Sequence, residues 1–480
     1  MTVPAALWPL SCGPAGCTTL PMFTDQIPAT HYEAAAVDIA AALDDKQVSM
    51  VAITFVDTAG ITRVKCIPTA RLAHAATVGV GASPVFDTFC FDDSMVFGRH
   101  LGGPDGDLRL IPDLTRLVPL ACQPGWAWAP ADKFTQEGPR FLGCQRHFAA
   151  AQVAAAEEHG LTLRMAFESE WSLGLDQPDF VPAFEGPAYG LIRLGPVADY
   201  AGDIVSALTR QGLAVEQFHP EYALAQLELS IAPKDPVGAA DDVVLVRHTV
   251  RQISAQRGWR ASFAPTVDPN GAGSGAHLHL SVTDGDGSAL AGGTGPYGMR
   301  PAGEAFLAGV LRELPALCAI GAAHPTSYVR LQPSRWAGVW QCWGRETRET
   351  ALRFITGVVG TEASAANAEV KCFDATGNPY LVVGAVIAAG LAGVAERLTL
   401  PPDISGDPAG MSERDRASAG ISRLPTSLSE AAEAFAGSKV LAAAMGEVLY
   451  DTVLTMRRGD AERFADTSSY ELAALSRWRY

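Results

Sequence analysis

The chain has no way to build a disulfide frame from regularly spaced cysteines. Nine are scattered from Cys12 to Cys372, an odd number with no CxxC pair. That excludes a CxxC zinc site as well and fits free thiols in a reducing compartment. Bases are also scarce: 36 Lys and Arg stand against 52 Asp and Glu, for a formal net charge of −16. Such a chain repels phosphate backbones, so nucleic acid is not an expected partner, and its acidity serves solubility. Long apolar runs are missing. The most apolar stretch, 381–398, is rich in Gly and Ala and ends in Glu396 and Arg397, which suits a buried core helix better than a membrane span. The N-terminus lacks the basic start of a secretory signal. The expectation is a cytoplasmic protein with no membrane partner. No GxxxxGK[ST] loop, HExxH, GxSxG or strand-linked GxGxxG occurs. Any nucleotide site therefore has to be built on a sheet, not on a helix N-terminus.

What is present is ample core material: 480 residues, 48% of them hydrophobic, enough for two or more domains. Residues 1–28 are rich in Pro, Gly and Thr and read as a flexible tail. A helix is expected over 31–43, then a hairpin in VAITFVDTAGITRVKCIP, with two β-rich runs around Asp57–Gly60. Residues 102–132 read as loop and short strands. A helix over about 146–159 opens a second, larger unit, with further helix-like runs at 201–212, 238–256, 302–320, 383–398 and 428–456.

Within that unit five segments alternate strictly between apolar and polar residues. In LTLRMAFESEWSL, Leu163, Met165, Phe167, Trp171 and Leu173 oppose Arg164, Glu168 and Glu170. In AQLELSI, Gln226, Glu228 and Ser230 share the polar face; in AHLHLSV, His277, His279 and Ser281 do. Arg353 opposes Leu352 and Phe354, and Glu369 and Lys371 oppose Val370 and Cys372. Period two places each set on one side of a strand. Acids and imidazoles gather on some polar faces and bases on others, as a sheet curved around a charged channel requires. A solvated sheet face with cross-strand ion pairs is the plainer alternative. Carboxylates and imidazoles together suit Mg²⁺ or Mn²⁺, and Glu168 and Glu170, two apart, could each serve a different ion. The glycines of GAGSGAHLH offer an approach to His277, and they also suit a plain turn.

In this order and spacing, FVDTAGITRVK, FESEW, VEQFHPEYALAQLELS, GSGAHLHLS, YVRLQP, WGRETRETALRF and NAEVKCFDATGNPYL resemble the glutamine synthetase superfamily from about residue 30 onward. The resemblance implies an α+β fold: a small N-terminal β-grasp domain, 29–135, and a large catalytic domain, 136–480, with a curved antiparallel sheet and helices. It implies a homo-dodecamer of two hexameric rings with sites shared between neighbours. Glu170, Glu221 and Glu228 match the ligands of one metal, and Glu168, His277 and Glu369 those of another. Glu216, His279 and Ser281 match nucleotide contacts, and Arg348 and Arg353 contacts to phosphate. Arg330, Lys371 and Gly273 match the glutamate site, and Asp57 matches an acid that a neighbouring subunit uses to bind and deprotonate ammonium.

Two departures bear on the reaction. An asparagine that touches glutamate is Ala272 here. A flap glutamate that closes the site over ammonia is Trp336 here, in PSRWAG. The chain is thereby similar to the branch that makes γ-glutamyl amides from organic amines, using ATP and two or more Mg²⁺ or Mn²⁺ ions. Trp336 could wall an alkyl pocket or face an ammonium group; a loop anchor is the plainer reading. Glutamine synthesis from ammonia and a catalytically silent ring-forming scaffold stand as alternatives.

Overall fold

The computed structural model describes residues 30–480; the tail expected over residues 1–28 lies outside them. Strands β1 (Met50–Val56) and β2 (Thr62–Pro68) form the expected hairpin. Gly60 takes φ +81° in its turn, a left-handed conformation that a glycine adopts freely. Asp57 closes the turn by accepting the Ile61 N–H at 2.9 Å. Strands β3 (Val80–Ala82), β4 (Leu108–Pro112), β5 (Val118–Pro119) and β6 (Trp126–Thr135) complete the sheet in the order β2-β1-β6-β4-β3, with β5 also on β6. The end of the stretch read as loop and short strands thus enters a ten-residue strand, β6, that runs parallel to β1. Nearly all of β6 is buried, so no polar face marks it in the sequence. The helix Thr30–Asp45 and the short helix Leu72–Thr77 pack on this sheet through Tyr32, Ile39, Leu43 and Leu72, against Val51, Ile53 and Phe134.

In the larger unit the long alternating run divides. β7 (Thr162–Phe167) and β8 (Ser169–Leu175) flank Glu168 and join different sheets. β8 lies with β9 (Val215–Pro220), β10 (Gln226–Ile231) and β11 (Trp259–Ser262) in an antiparallel sheet, order β11-β8-β10-β9. β7 pairs with β12 (Leu278–Asp284) in a sheet that continues through β13 (Gly287–Ser288), β14 (Trp340–Arg345), β15 (Thr350–Ile355), β16 (Asn367–Val370) and β17 (Ser422–Arg423). Its order is β13-β12-β16-β15-β14-β17, and β14 and β15 run parallel. The charged surface is therefore curved by two sheets that share one continuous run of chain. Leu163, Met165, Phe167, Trp171 and Leu173 are all buried, as the alternation requires.

Helices Ala198–Arg210, Pro236–Ala255, Pro301–Gly321 and Pro379–Glu396 fall within a few residues of expectation. The run at 428–456 is two helices, Leu428–Gly437 and Lys439–Arg463. Ser438 separates them: its backbone is extended and its hydroxyl accepts the Leu441 N–H to start the second helix. Among the described residues only Pro379–Glu396 is long and apolar enough to cross a membrane, and 78% of it is buried inside the fold. Asn378 caps that helix by accepting the Tyr380 N–H at 2.9 Å, while its amide donates to the carbonyls of Val56 and Asp57 at 3.1 and 3.0 Å. One side chain thus ties the N-terminal hairpin to the helical core. Buried Arg146 makes a second tie, donating to Asp113, Asp132 and Asp241 at 2.7–3.1 Å.

Candidate active site

Two rows of polar side chains cross the sheets. On β12, β16 and β15, register sets His279 beside Glu369 and Glu369 beside Arg353. On β9, β10 and β8, it sets His219 beside Glu228 and Glu228 beside Glu170. The rows meet at Glu168, where the chain changes sheets and the Glu168 N–H donates to the His277 carbonyl at 3.0 Å. The Glu168 carboxylate lies 2.6 Å from His277 Nδ1 and 2.9 Å from His279 Nε2.

The expected set Glu168, His277 and Glu369 comes together, with ligand atoms within 4.8 Å of one another. The expected set Glu170, Glu221 and Glu228 is drawn differently. Glu228 is common to two groups of the same tightness, one with Glu168 and Glu170 and one with His219 and Glu221. The reason is local anchoring. Glu170 Oε2 accepts from Gly275 N–H and Gln226 Nε2 at 2.9 and 2.8 Å. Glu221 Oε2 is held by the Tyr189 hydroxyl and the Tyr222 N–H, both at 2.8 Å. The glycine segment is more than a turn: a Cβ on Gly275 would come within 2.5 Å of His277 Nε2 and 3.0 Å of Glu170 Oε1.

Charge is unevenly balanced. Burial raises the Glu168 carboxyl, but hydrogen bonds from His277 and His279 outweigh it and hold the group well below its usual range. Burial likewise opposes ionisation of Glu369, yet Lys371, then His277 and His279, bring it down to about 2. Lys371 Nζ and Arg353 Nη1 each contact it at 2.9 Å. At the other end burial, then Glu168, Glu170 and Glu221, push Glu228 up to about 10. Burial also raises Glu170. Crowded carboxylates facing imidazoles, with too little positive charge at the Glu228 end, are a donor set that fits divalent cations preferring oxygen and tolerating nitrogen.

The other expected residues divide. His279 and Ser281 share the site face of β12, and His279 is raised to about 9, its burial outweighed by Glu168. Glu216 is exposed on β9. Arg348 is exposed in the loop between β14 and β15, whereas Arg353 is fixed between Glu369 and Glu346 at 2.9 Å each. Arg330 is buried and donates to the Phe373 carbonyl at 2.9 Å. Gly273 is required by close approach, since a Cβ there would lie 2.6 Å from Arg330 Cγ. Asp57 is fully buried and meets none of the metal-type groups within its own chain; Arg63 Nε donates to it at 2.7 Å. Burial lifts it to about 7 against the pull of Arg63. Trp336 is 54% exposed, with φ +55°, so it is not an anchor packed on the core. A cavity of about 750 Å³ lies beside its neighbour Arg335, lined by Pro269, Gln332 and Phe464, and none of the six expected ligands lines it.

Residues 142–474 match the catalytic domain of glutamine synthetase and residues 35–138 its N-terminal domain. The chain belongs to the glutamine synthetase family. Gamma-glutamylpolyamine synthetase GlnA3 of Streptomyces coelicolor is 51% identical over 435 residues, 90% of this chain and 93% of that one. A solved structure described as a novel glutamine synthase homolog is 32% identical, with a TM-score of 0.81 over 90% of this chain and 99% of its own. The ligand-free structure of GmaS is 25% identical, with a TM-score of 0.79 over 91% and 98%. Glutamine synthetase enzymes are ligases that act on small molecules with ATP and divalent metals.

Within this glutamine synthetase frame the sequence reading assigned no site role to three residues the geometry brings in: His219, Gln226 and Tyr189. His219 had a signal, being two residues from Glu221 as Glu168 is from Glu170. Gln226 shares the polar face of β10 with Glu228. Tyr189 comes from a loop, where no periodicity marks it.

Proposed function

We propose that this chain joins the γ-carboxylate of glutamate to an organic amine at the expense of ATP, through a γ-glutamyl phosphate, giving a γ-glutamyl amide. The observation that carries the reading is the convergence of Glu168, His277 and Glu369 with Glu170, Glu221 and Glu228 where two sheets meet. Glu168, His277 and Glu369 would hold one divalent ion. Glu170, Glu221 and Glu228, with His219 beside them, would hold another. Such ions, Mg²⁺ or Mn²⁺, supply positive charge against the triphosphate and the developing acyl phosphate.

The chain's own groups do the rest. Glu216, His279 and Ser281 contact the nucleotide. Arg353, held by two carboxylates, and the exposed Arg348 offset charge on the transferred phosphoryl group. Arg330, Lys371 and Gly273 bound the glutamate site. An alkyl ammonium has a pKa of about 10.4, like lysine, and must shed a proton before it attacks. Asp57, with a proton affinity near neutrality, is suited to take it from the site of a neighbouring subunit. Trp336 walls the amine entrance.

Trp336 at the flap favours an organic amine over ammonia, and the name of the relative at 51% identity, a gamma-glutamylpolyamine synthetase, supports a polyamine. Six converging ligand-type residues speak against a silent scaffold. The same reading includes a cytoplasmic dodecamer whose chain divides near residue 135 into the small and catalytic domains.

Phosphate release measured with glutamate, ATP and a panel of amines that includes ammonia tests this. A polyamine or other organic amine is expected to give the highest kcat/KM. Glu170→Ala and Glu369→Ala should each abolish release without altering the oligomer. Ammonia as the best substrate, or undiminished release in both variants, overturns the reading.

A further inference from the structure

One carboxylate beside the flap has no part in the metal-type groups. Glu349 is only 6% exposed, and its Oε1 accepts the Trp336 N–H at 2.7 Å. Its Oε2 is buried with no hydrogen-bond partner among the described residues. A buried carboxylate oxygen left unsatisfied is costly unless something else comes to it.

Its position says what that is. Counting back by twos from Arg353 along β15 reaches Ala351 and then Glu349, so Glu349 enters the strand on the face that carries Arg353. The neighbouring strand brings Lys371 alongside, its N–H donating to the Ala351 carbonyl at 3.0 Å. The Lys371 ammonium is bound to Glu369 at 2.9 Å, not to Glu349. The flap packs down on the same place: a Cβ on Gly338 would lie 2.6 Å from Lys371 Cβ. Asp407, which accepts from the flap hydroxyl of Ser334 at 2.7 Å, adds a second negative charge nearby. Burial and then Asp407 raise the Glu349 carboxyl, against the pull of the Trp336 N–H, Lys371 and the Ser334 N–H.

We propose that Glu349 is the anionic subsite for a second, persistent ammonium group of the amine substrate. The inference rests on the amine-ligase reading and deepens it. The nitrogen that attacks must be neutral, so a monoamine carries no charge at the moment of reaction. A diamine or polyamine keeps a cation elsewhere on its chain, and that cation needs a counter-ion inside the closed site. Glu349 provides one at the flap. The opposing account is that Glu349 only fastens the flap through the Trp336 N–H.

Glu349→Gln separates the two, since glutamine keeps an oxygen to accept that N–H and loses only the charge. Wild type, Glu349→Gln and Glu349→Asp are assayed with putrescine and with butylamine, which has the same carbon chain and one amino group. Wild type should favour putrescine. Glu349→Gln should raise the putrescine KM about tenfold or more while leaving the KM values for butylamine, ATP and glutamate nearly unchanged. Glu349→Asp should fall between, and it carries the test if the glutamine variant does not fold. Equal losses with both amines, or no loss with either, overturn the subsite while leaving the ligase reading intact. A wild type that couples ammonia but neither amine overturns both.

Discussion

Residues do the selecting in this site, and Gly275 is the clearest case. Its N–H feeds Glu170 while its missing side chain leaves room for His277 Nε2 and Glu170 Oε1. In Gly275→Ala the new methyl would have to push one of two metal-type ligands aside. We expect the Mg²⁺ or Mn²⁺ concentration giving half-maximal phosphate release to rise at least tenfold, with an unchanged circular dichroism spectrum. An unchanged metal requirement would show that the glycine is an ordinary turn residue. Single residues were also where the sequence was most and least legible. Period two put Glu168, His277 and Glu369 on polar faces, and the resemblance to the glutamine synthetases grouped them as ligands. The partition of Glu228 could not, because it depends on anchors such as Tyr189 that arrive from distant loops.

At the scale of elements the same rule both succeeded and failed. The run from Leu163 to Leu173 keeps period two apart from Ala166 and Ser169, so it reads as one strand. Its division at Glu168 is invisible because a change of sheet need not break the alternation. β6 failed for the opposite reason, since a strand buried on both faces has no polar side to count. Helices were easier, because their apolar faces are long, and the joint at Ser438 shows where a capping serine hides within a helical pattern. The crossing of Pro301–Gly321 with Pro379–Glu396 depends on two glycines. A Cβ on Gly309 would lie 2.8 Å from Gly393 Cα, and backbone cannot yield as a side-chain tip can. Alanine would favour each helix alone by roughly 1 kcal/mol. Overpacking costs about 1–3 kcal/mol, and the clash here is with backbone, at the upper end of that range. Gly309→Ala should therefore lower the denaturant midpoint, and a midpoint equal to or above wild type would mean that the two helices separate without cost.

The whole molecule poses the question that one chain leaves open, because Asp57 lies in the small N-terminal unit and meets none of the metal-type carboxylates of its own chain. Its loop is instead fastened to that chain's C-terminal core: Asn378 holds the Asp57 carbonyl at 3.0 Å, Arg457 the Thr58 carbonyl at 3.0 Å and the Tyr480 hydroxyl the Ala59 carbonyl at 2.8 Å. A loop fixed this firmly cannot swing to a site elsewhere in the same chain, so the proposed role of Asp57 would require a neighbour. The surface offers places for one. Leu191, Ile192, Val358 and Val359 are each at least 72% exposed, on segments outside the two main cores. Apolar side chains paired in this way suit burial between subunits. Identical chains that place a loop of one against the site of the next make a heterologous contact, which closes into a ring when the rotation permits. Twelve copies of a 50.4 kDa chain would weigh about 605 kDa. Light scattering should find a closed assembly of that order, and activity should fall when dilution dissociates it. Val359→Glu, which sets a charge in the exposed apolar segment, should weaken assembly and activity together while each chain stays folded. A monomer with full kcat at the dilution where scattering shows no assembly would place every catalytic group within one chain and remove Asp57 from the reaction.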